Sequence, residues 1–152
     1  MIFVATGTTG FDGLAQAMDH LMPTLAEDVI IQIGAGQFVP RQAQHFRLAP
    51  TLQPYYQRAS LVVAHGGLGT CLEALEAGKP LIAISNPDRY DRHQDDLLHA
   101  LETQNYLLWC RDLAHLEQAI PTARQTTFQP YQRADCLVHL RILEFLGCEL
   151  PG

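Results

Sequence analysis

The chain alternates short, fully apolar runs with longer segments in which apolar residues recur every three or four positions. The apolar runs predict strands, because a strand of a parallel sheet is buried on both faces. The apolar runs are Met1–Ala5, Val29–Ile33, Leu61–Ala64, Pro80–Ile84 and Tyr106–Cys110, and we predict a further short edge strand at His45–Leu48. This alternation predicts an α/β fold, a Rossmann-like doubly wound parallel sheet, as a single domain over residues 1–152.

Segments with helical spacing separate these strands, and proline marks several of their ends. The first helix begins near Asp12, whose charge suits the positive helix start, and Pro23 predicts a kink or an early end. The other predictions are a connector or short helix at Pro50–Tyr56, helices at Thr70–Ala77, from the acidic segment 88–96 to about Glu102, at Leu113–Ile120 and at Tyr131–Gly147, and a polar loop at Pro121–Pro130. The last helix either packs on its own domain or docks a partner.

Composition excludes several classes of protein. Hydrophobic residues make up 47% of the chain and charged residues 17%, which is typical of a globular protein, and the net charge of -6 argues against nucleic acid as a partner. The four cysteines lie in apolar runs without CxxC spacing, which favours reduced thiols in a cytoplasmic protein. No apolar run approaches the ~20 residues of a membrane span, and the first strand begins at Met1 without signal-peptide features. We therefore expect membrane contact only through a surface of the chain or through a partner, with nothing preceding the fold.

The most informative stretch, Leu61–Leu75, combines a buried strand, a glycine-rich turn and the start of a helix. The glycines of the turn are Gly66, Gly67 and Gly69. Such a turn aims free backbone N–H groups and the positive end of a helix dipole at one point, where a diphosphate fits. A tight turn without a ligand is the alternative. His65 and Thr70 add donors beside the same pocket, and Glu73, about one helical turn further, can accept hydrogen bonds from a ribose diol.

Two weaker glycine signals follow the first and second strands. Gly7, Thr8 and Thr9 form a small polar turn that would line the same cleft, since ligands bind at the carboxyl ends of strands in doubly wound sheets. An ordinary strand-to-helix turn is the alternative. Gly34, at the end of the second strand, would let a flat ring or a phosphate approach the backbone, although glycine is also common in flexible loops.

The acidic segment at 88–96 suggests either a metal site or a charged helix start. Acidic residues suit the positive end of a helix, and the spacing of a calcium loop is absent, so we predict no metal. We interpret Asp91, His93 and Gln94 instead as contacts to sugar hydroxyls at the mouth of the cleft, with a plain solvated turn as the alternative.

Two common nucleotide motifs are absent. The first turn is not GxGxxG and no acidic residue ends the second strand, which argues against a dinucleotide dehydrogenase. The GxxxxGK[ST] pattern is missing as well, which argues against a motor or kinase that uses nucleoside triphosphates.

Several motifs together resemble a known family. The opening Met1–Thr9, followed by Phe11 and Asp12, looks like the start of small single-domain glycosyltransferase subunits. The segments His65–Thr70, Glu73–Ala74, Gly78–Pro80 and His93–Gln94 are similar to the C-terminal, donor-binding half of family 28 glycosyltransferases of the GT-B fold. The likeness extends to about Leu101. The chain resembles the catalytic subunits of two-part bacterial exopolysaccharide glycosyltransferases, and the cytosolic subunit of the eukaryotic dolichol-pathway N-acetylglucosaminyltransferase is similar.

The resemblance implies a role for each matching residue. His65, Gly66, Gly67, Gly69 and Thr70 would hold the diphosphate of a UDP-sugar, which is the substrate, and Glu73 would take the ribose. Asp91, His93 and Gln94 would meet the sugar, while Gly7, Thr8 and Thr9 would face the diphosphate or the acceptor. The uracil would lie near Ile33, Gly34 and the following loop. Larger relatives carry an Asp-Gln pair where this chain has His93-Gln94, so the sequence leaves the donor sugar open.

The resemblance also implies a reaction and a partner. Members of the family invert the anomeric carbon, which requires a general base, and no residue here stands out as that base, although His65 is one candidate. Since GT-B enzymes have two halves, we expect a separate membrane-anchored subunit that supplies the base and binds a lipid-linked saccharide. This chain would be cytoplasmic and peripheral to the membrane. A non-catalytic nucleotide-sugar-binding regulatory module and an epimerase are the alternatives, and the sequence leaves open whether the isolated chain is a homo-oligomer.

Overall fold

The computed structural model describes residues 1–88 and 93–133, which form a six-stranded parallel sheet with helices on both faces. The strands are β1 (Ile2–Ala5), β2 (Val29–Gln32), β3 (Gln44–Phe46), β4 (Leu61–His65), β5 (Leu81–Ile84) and β6 (Leu108–Trp109). The helices are α1 (Asp12–Leu21), α2 (Gln53–Arg58), α3 (Leu68–Glu76), α4 (His93–Thr103) and α5 (Leu116–Gln125), with 3-10 turns at Met22–Thr24 and Leu113–His115. The predicted fold class and all six predicted strands are confirmed.

The order of the strands determines where a ligand can bind. They lie in the order β3-β2-β1-β4-β5-β6, and every pairing is parallel. The chain thus moves in one direction from β1 and resumes on the other side of it at β4. In such sheets a crevice opens between the loops that follow the two central strands. Here these are the glycine-rich loops after β1 and β4.

The alternation of side chains along β1 divides the core into two layers. Ile2 and Val4 face the layer of α1 and α5, whereas Phe3 and Ala5 face the layer of α2, α3 and α4. All four side chains are fully buried, as expected for a central strand of a parallel sheet. The strand pairs with β2 through Ala5 opposite Gln32, so Gln32 shares the face of Ala5.

The predicted polar loop at Pro121–Pro130 is wrong in its first half, because α5 continues through Pro121 to Gln125. A proline inside a helix costs about 3 kcal/mol or more through the lost hydrogen bond and a steric clash. Ile120 and Ala123 are buried on either side of it, and this packing keeps the helix intact. Pro121 itself is exposed, so its ring lies on the solvent side.

The structure tests the predicted end of the first helix, but only the first residues of the predicted last helix. Pro23 was expected to kink or end the first helix, and α1 does end at Leu21, followed by the 3-10 turn. The predicted last helix, Tyr131–Gly147, lies outside the described residues except for its first three. Those three, Tyr131–Arg133, have no regular secondary structure.

A buried carboxylate ties α1 to the loop that precedes β3. Asp19 is 6% exposed and accepts hydrogen bonds from the backbone N–H groups of Arg41 (3.0 Å), Gln42 (2.8 Å) and Ala43 (2.8 Å). Burial alone would raise the pKa of Asp19, but the three N–H groups outweigh it and lower the pKa below its ordinary value. The ionised form of Asp19 is therefore part of the folded structure.

We expect Asp19→Ala to lower the free energy of unfolding by about 2 kcal/mol at neutral pH, since three N–H groups lose a charged acceptor. A carboxyl whose pKa is depressed by folding stabilises the protein above its unfolded-state pKa of about 3.9, and that contribution is lost as the pH falls further. The gap between wild type and variant in urea denaturation should therefore narrow below about pH 4. Asp28→Ala, at an exposed position, is the control. A gap that does not change with pH would contradict this role.

Candidate functional site

The imidazole of His65 lies between the two glycine-rich loops. A Cβ atom added to Gly7 would stand 2.6 Å from His65 Nε2, and one added to Gly67 would collide with the same ring. Gly7 also has a φ of +81°, which favours glycine. The Nε2 atom lies 3.0 Å from the Oγ1 atom of Thr70. The ring is therefore fixed by contacts with backbone on two sides and by a side-chain hydrogen bond.

The start of α3 is open to the crevice. Gly67 precedes the helix in an extended conformation, and no side chain caps it. The first N–H groups of a helix have no partner within the helix, so those of Leu68, Gly69 and Thr70 are available to a ligand. A Cβ at Gly69 would meet no atom within 4 Å, so free space borders this turn. Open N–H groups at the positive end of a helix favour an anion.

Gly34 brings the loop after β2 against the loop after β1. Its φ is +55°, and a Cβ there would collide with the carbonyl oxygens of Gly7 and Thr8. Arg47 fixes the same segment by donating hydrogen bonds to the carbonyls of Gly34 (3.1 Å) and Gly36 (2.9 Å). Gly34 is thus required for packing between loops, and its contact with a uracil ring stays a prediction.

The start of α4 packs against the central turn. A Cβ on Gly66 would stand 2.9 Å from Leu98 and 3.2 Å from the side chain of Gln94. The Oε1 atom of Gln94 accepts a hydrogen bond from the backbone N–H of Asn86 (2.9 Å), which follows β5. Gln94 therefore lies beside the turn, as the sequence predicts, and His93 is exposed one residue earlier. Asp91 lies outside the described residues.

Glu73 lies in a pocket on the α2–α3 side of the sheet. The pocket has a volume of about 300 Å³ and is lined by Glu73, Thr8, Gln32 and the segment Leu48–Gln53. Beneath it the hydroxyl of Tyr56 is buried near Glu73 without a hydrogen bond of standard geometry. Burial and the Glu73 carboxylate raise the pKa of Tyr56, so the phenol keeps its proton.

Two features of this pocket escaped the sequence analysis, namely Gln32 and the Leu48–Gln53 segment. A polar residue at the end of the otherwise apolar β2 is the signal that was available for Gln32. Thr9, by contrast, lies at the other side of the β1 loop, where it lines a second pocket with Gly36 and Asn86. The three predicted residues Gly7, Thr8 and Thr9 thus point to different parts of the edge.

Three further properties of the described part of the chain are the reactivity of a thiol, the capacity to hold a metal ion and the length and polarity of the helices. Burial raises the pKa of the Cys71 thiol, on the buried face of α3, to about 12, so it is not a nucleophile at neutral pH. Within residues 1–88 and 93–133, no group of three His, Cys, Asp or Glu side chains is arranged to hold a metal ion. In the same ranges, every helix is too short or too polar to cross a membrane.

The edge therefore presents an open helix start, a hydrogen-bonded pair of side chains, His65 and Thr70, and, one helical turn away, a carboxylate in a pocket. His65 and Thr70 lie at the start of α3 and Glu73 lies one helical turn along it, but only Glu73 lines the pocket described above, and the binding of a ligand by these residues stays a prediction. A ligand that carries a diphosphate next to a vicinal diol matches this order of groups.

Comparisons with solved structures agree on the fold. The chain superposes on MurG of Acinetobacter baumannii with a TM-score of 0.66, at 18% identity, covering 96% of this chain and 49% of that one. It superposes on the solution structure of ALG13 with a TM-score of 0.62, at 18% identity, covering 93% and 94% of the two chains. At these identities the likeness shows the fold alone, that of GT-B glycosyltransferases.

Sequence comparisons extend beyond the fold. The chain is 35% identical over 122 residues to the UDP-N-acetylglucosamine transferase subunit ALG13 of Homo sapiens, covering 72% of this chain and 11% of that protein. The mouse protein of the same name is 33% identical over 121 residues, with 71% and 10% covered. The chain thus spans about a tenth of the length of these relatives. Residues 1–144 match the glycosyltransferase family 28 C-terminal domain, and the chain belongs to this family.

Proposed function

We propose that this chain is the donor-binding catalytic subunit of an inverting glycosyltransferase. It transfers a hexose or N-acetylhexosamine from a UDP-sugar to a lipid-linked saccharide, in the biosynthesis of a polysaccharide or glycan such as an exopolysaccharide. It works in the cytoplasm with a separate membrane-anchored subunit that binds the acceptor. The observation that carries this proposal is the shared position of the open α3 start and the Glu73 pocket at one edge of the sheet.

The diphosphate would lie at the start of α3. Its negative charge meets the N–H groups of the first turn, whose positive potential favours anions. His65 Nε2 and Thr70 Oγ1 share a hydrogen bond of 3.0 Å beside this turn, and the neutral pair keeps one further donor that would face the diphosphate. Because Gly7 and Gly67 already fix the ring, binding would require little reorganisation of His65.

The nucleoside would continue from the diphosphate into the Glu73 pocket. Glu73 is exposed and lies one helical turn beyond Thr70 on the same helix, so a ribose linked to the diphosphate reaches its carboxylate. A carboxylate accepts hydrogen bonds from two neighbouring hydroxyls, which a ribose diol supplies. The segment Leu48–Gln53 then borders the base.

The sugar would extend the other way, toward the start of α4. Gln94 lies beside Gly66 at the central turn, and His93 follows the segment that contains Asp91. The relatives from Homo sapiens and Mus musculus are named for UDP-N-acetylglucosamine, which favours N-acetylglucosamine among the donors.

The chemistry follows from charge development on the leaving group. As the bond between sugar and diphosphate breaks, negative charge grows on the diphosphate oxygen. The preorganised N–H groups and side-chain donors stabilise this transition-state charge more than they stabilise the ground state. Such donors do this work without a metal ion, so the proposal includes none. The proton of the acceptor hydroxyl must leave to a base. We assign that base to the partner subunit, because His65 already faces Thr70 at the diphosphate site.

Calorimetric titration of the isolated chain with UDP tests the nucleoside site. We expect Glu73→Ala to weaken UDP binding about tenfold or more, since hydrogen bonds to a charged group are worth about 1.5–3 kcal/mol. Glu76→Ala is the matched control. Glu76 is also exposed on α3, but it lies further from the start of the helix than Glu73 and pairs with Arg133. Equal affinities of the two variants would contradict the site, and so would a wild type that binds no uridine nucleotide.

A second variant separates folding from binding at the diphosphate site. Gly69→Ala adds a methyl group where, apart from the adjacent residues and the backbone of α3 itself, no protein atom lies within 4 Å. Alanine is also favoured over glycine inside helices by up to about 1 kcal/mol. We expect the melting temperature to stay the same or to rise, while UDP affinity falls about tenfold because the methyl occupies the ligand's space. A variant that keeps full UDP affinity would argue against phosphate contact at this turn.

Transfer itself is measured with labelled UDP-N-acetylglucosamine, the purified chain, and membranes that supply the partner and lipid acceptor. We expect label in the lipid extract that depends on the added chain and persists when EDTA removes divalent cations. Loss of transfer in EDTA with UDP binding intact would contradict the metal-free mechanism. Intact UDP binding with no transfer under any condition would favour the regulatory module instead.

A further inference from the structure

We infer that Gln32 recognises the nucleobase, through hydrogen bonds between its side-chain amide and the imide edge of a pyrimidine. This inference rests on the proposed function and adds a residue that selects the base. The observation behind it is an unpaired polar atom in the core. Gln32 is 4% exposed, and its Oε1 atom is buried without a hydrogen-bond partner. Buried polar atoms are nearly always paired in folded proteins, so an unpaired one requires a reason.

The backbone around Gln32 holds the side chain in place. Thr6 donates two hydrogen bonds to the Gln32 carbonyl, from its N–H (3.3 Å) and its Oγ1 (2.7 Å). Pairing with Ala5 puts the Gln32 side chain on the α2–α3 face of the sheet. The residue cannot turn its amide to the opposite face without breaking the register of β2.

The side chain lines the same pocket as Glu73 and Thr8. A nucleotide has a fixed covalent order of phosphate, ribose and base. The α3 start takes the phosphates and Glu73, one turn further, takes the ribose, so the base must lie beyond Glu73. Apart from Glu73, the pocket is lined by Thr8, Gln32 and the segment Leu48–Gln53. Gln32 is the buried polar side chain in this lining.

The chemistry of the amide suits a uracil. A primary amide offers one acceptor oxygen and two donor hydrogens, and its last torsion is soft enough to turn the group toward a ligand. The imide edge of uracil presents an N–H group between two carbonyls. The amide oxygen accepts from the N3–H while an amide hydrogen donates to a neighbouring carbonyl, which leaves the Gln32 oxygen paired.

Gln32→Met tests the inference, because methionine keeps an unbranched side chain of similar length and loses the amide. Removing an unpaired buried polar atom should leave the melting temperature unchanged or raise it. UDP affinity should nevertheless fall about tenfold. Gln16→Met, at an exposed position on α1, is the matched control and should change neither quantity.

Two UDP analogues identify which part of the nucleotide Gln32 contacts. UDP methylated at N3 should bind wild type about tenfold more weakly than UDP, and Gln32→Met should bind UDP and the methylated form almost equally, which is the signature of a coupled pair. With 2′-deoxy-UDP, Gln32→Met should show the same loss as with UDP, whereas Glu73→Ala should lose less.

The outcomes separate this inference from the proposed function. If wild type binds UDP and Gln32→Met binds it equally well, base recognition by Gln32 is wrong while the nucleotide site stands. A lower melting temperature for Gln32→Met with unchanged UDP affinity would assign Gln32 to folding and overturn the inference as well. If wild type binds no uridine nucleotide, the proposed function falls and takes the inference with it.

Discussion

The functional edge depends on the hydrogen bonding of β1 to β2 on one side and to β4 on the other. In this register Ala5 lies opposite both Gln32 and Ala64, so three loops leave the sheet at the same height. A slip of one residue would send every side chain of the strand to the opposite face. Gln32 would then face α1, and the pocket around Glu73 would lose one wall. Thr6 helps to hold this register, because its N–H and its Oγ1 both donate hydrogen bonds to the Gln32 carbonyl.

The loops themselves are joined by contacts between backbone and backbone, or between backbone and ring, that leave no space for Cβ atoms. Gly7 touches His65 on one side, and its carbonyl touches Gly34 on the other. Three strands therefore share one rigid edge in which the positions of the donors are set before any ligand arrives. Such preorganisation is the main way in which a protein stabilises developing charge.

The sequence predicted the parts of this structure whose signals are local. Five apolar runs and the expected edge strand at His45–Leu48 each correspond to a strand. The strand–turn–helix stretch placed His65, Thr70 and Glu73 close together because the residues share one turn and one helix. The position of Gln32 in the pocket could not be predicted in this way. It depends on which face of the sheet the side chain occupies, and pairing with β1 determines that face. The loop predicted from Pro121 is wrong for a related reason. The local propensity of proline favours the end of a helix, but the burial of Ala123 outweighs it.

The α3 start, the Glu73 pocket and exposed Leu68 all lie on an edge with no further layer of the described chain above it. A ligand held there is covered by this protein on one side and presents its other side outward. In the proposed function, a partner that covers this edge would touch both the protein and the nucleotide, and their affinities would then be linked by one common factor. Filling the proposed site would therefore also change the affinity of the chain for the subunit that closes the crevice.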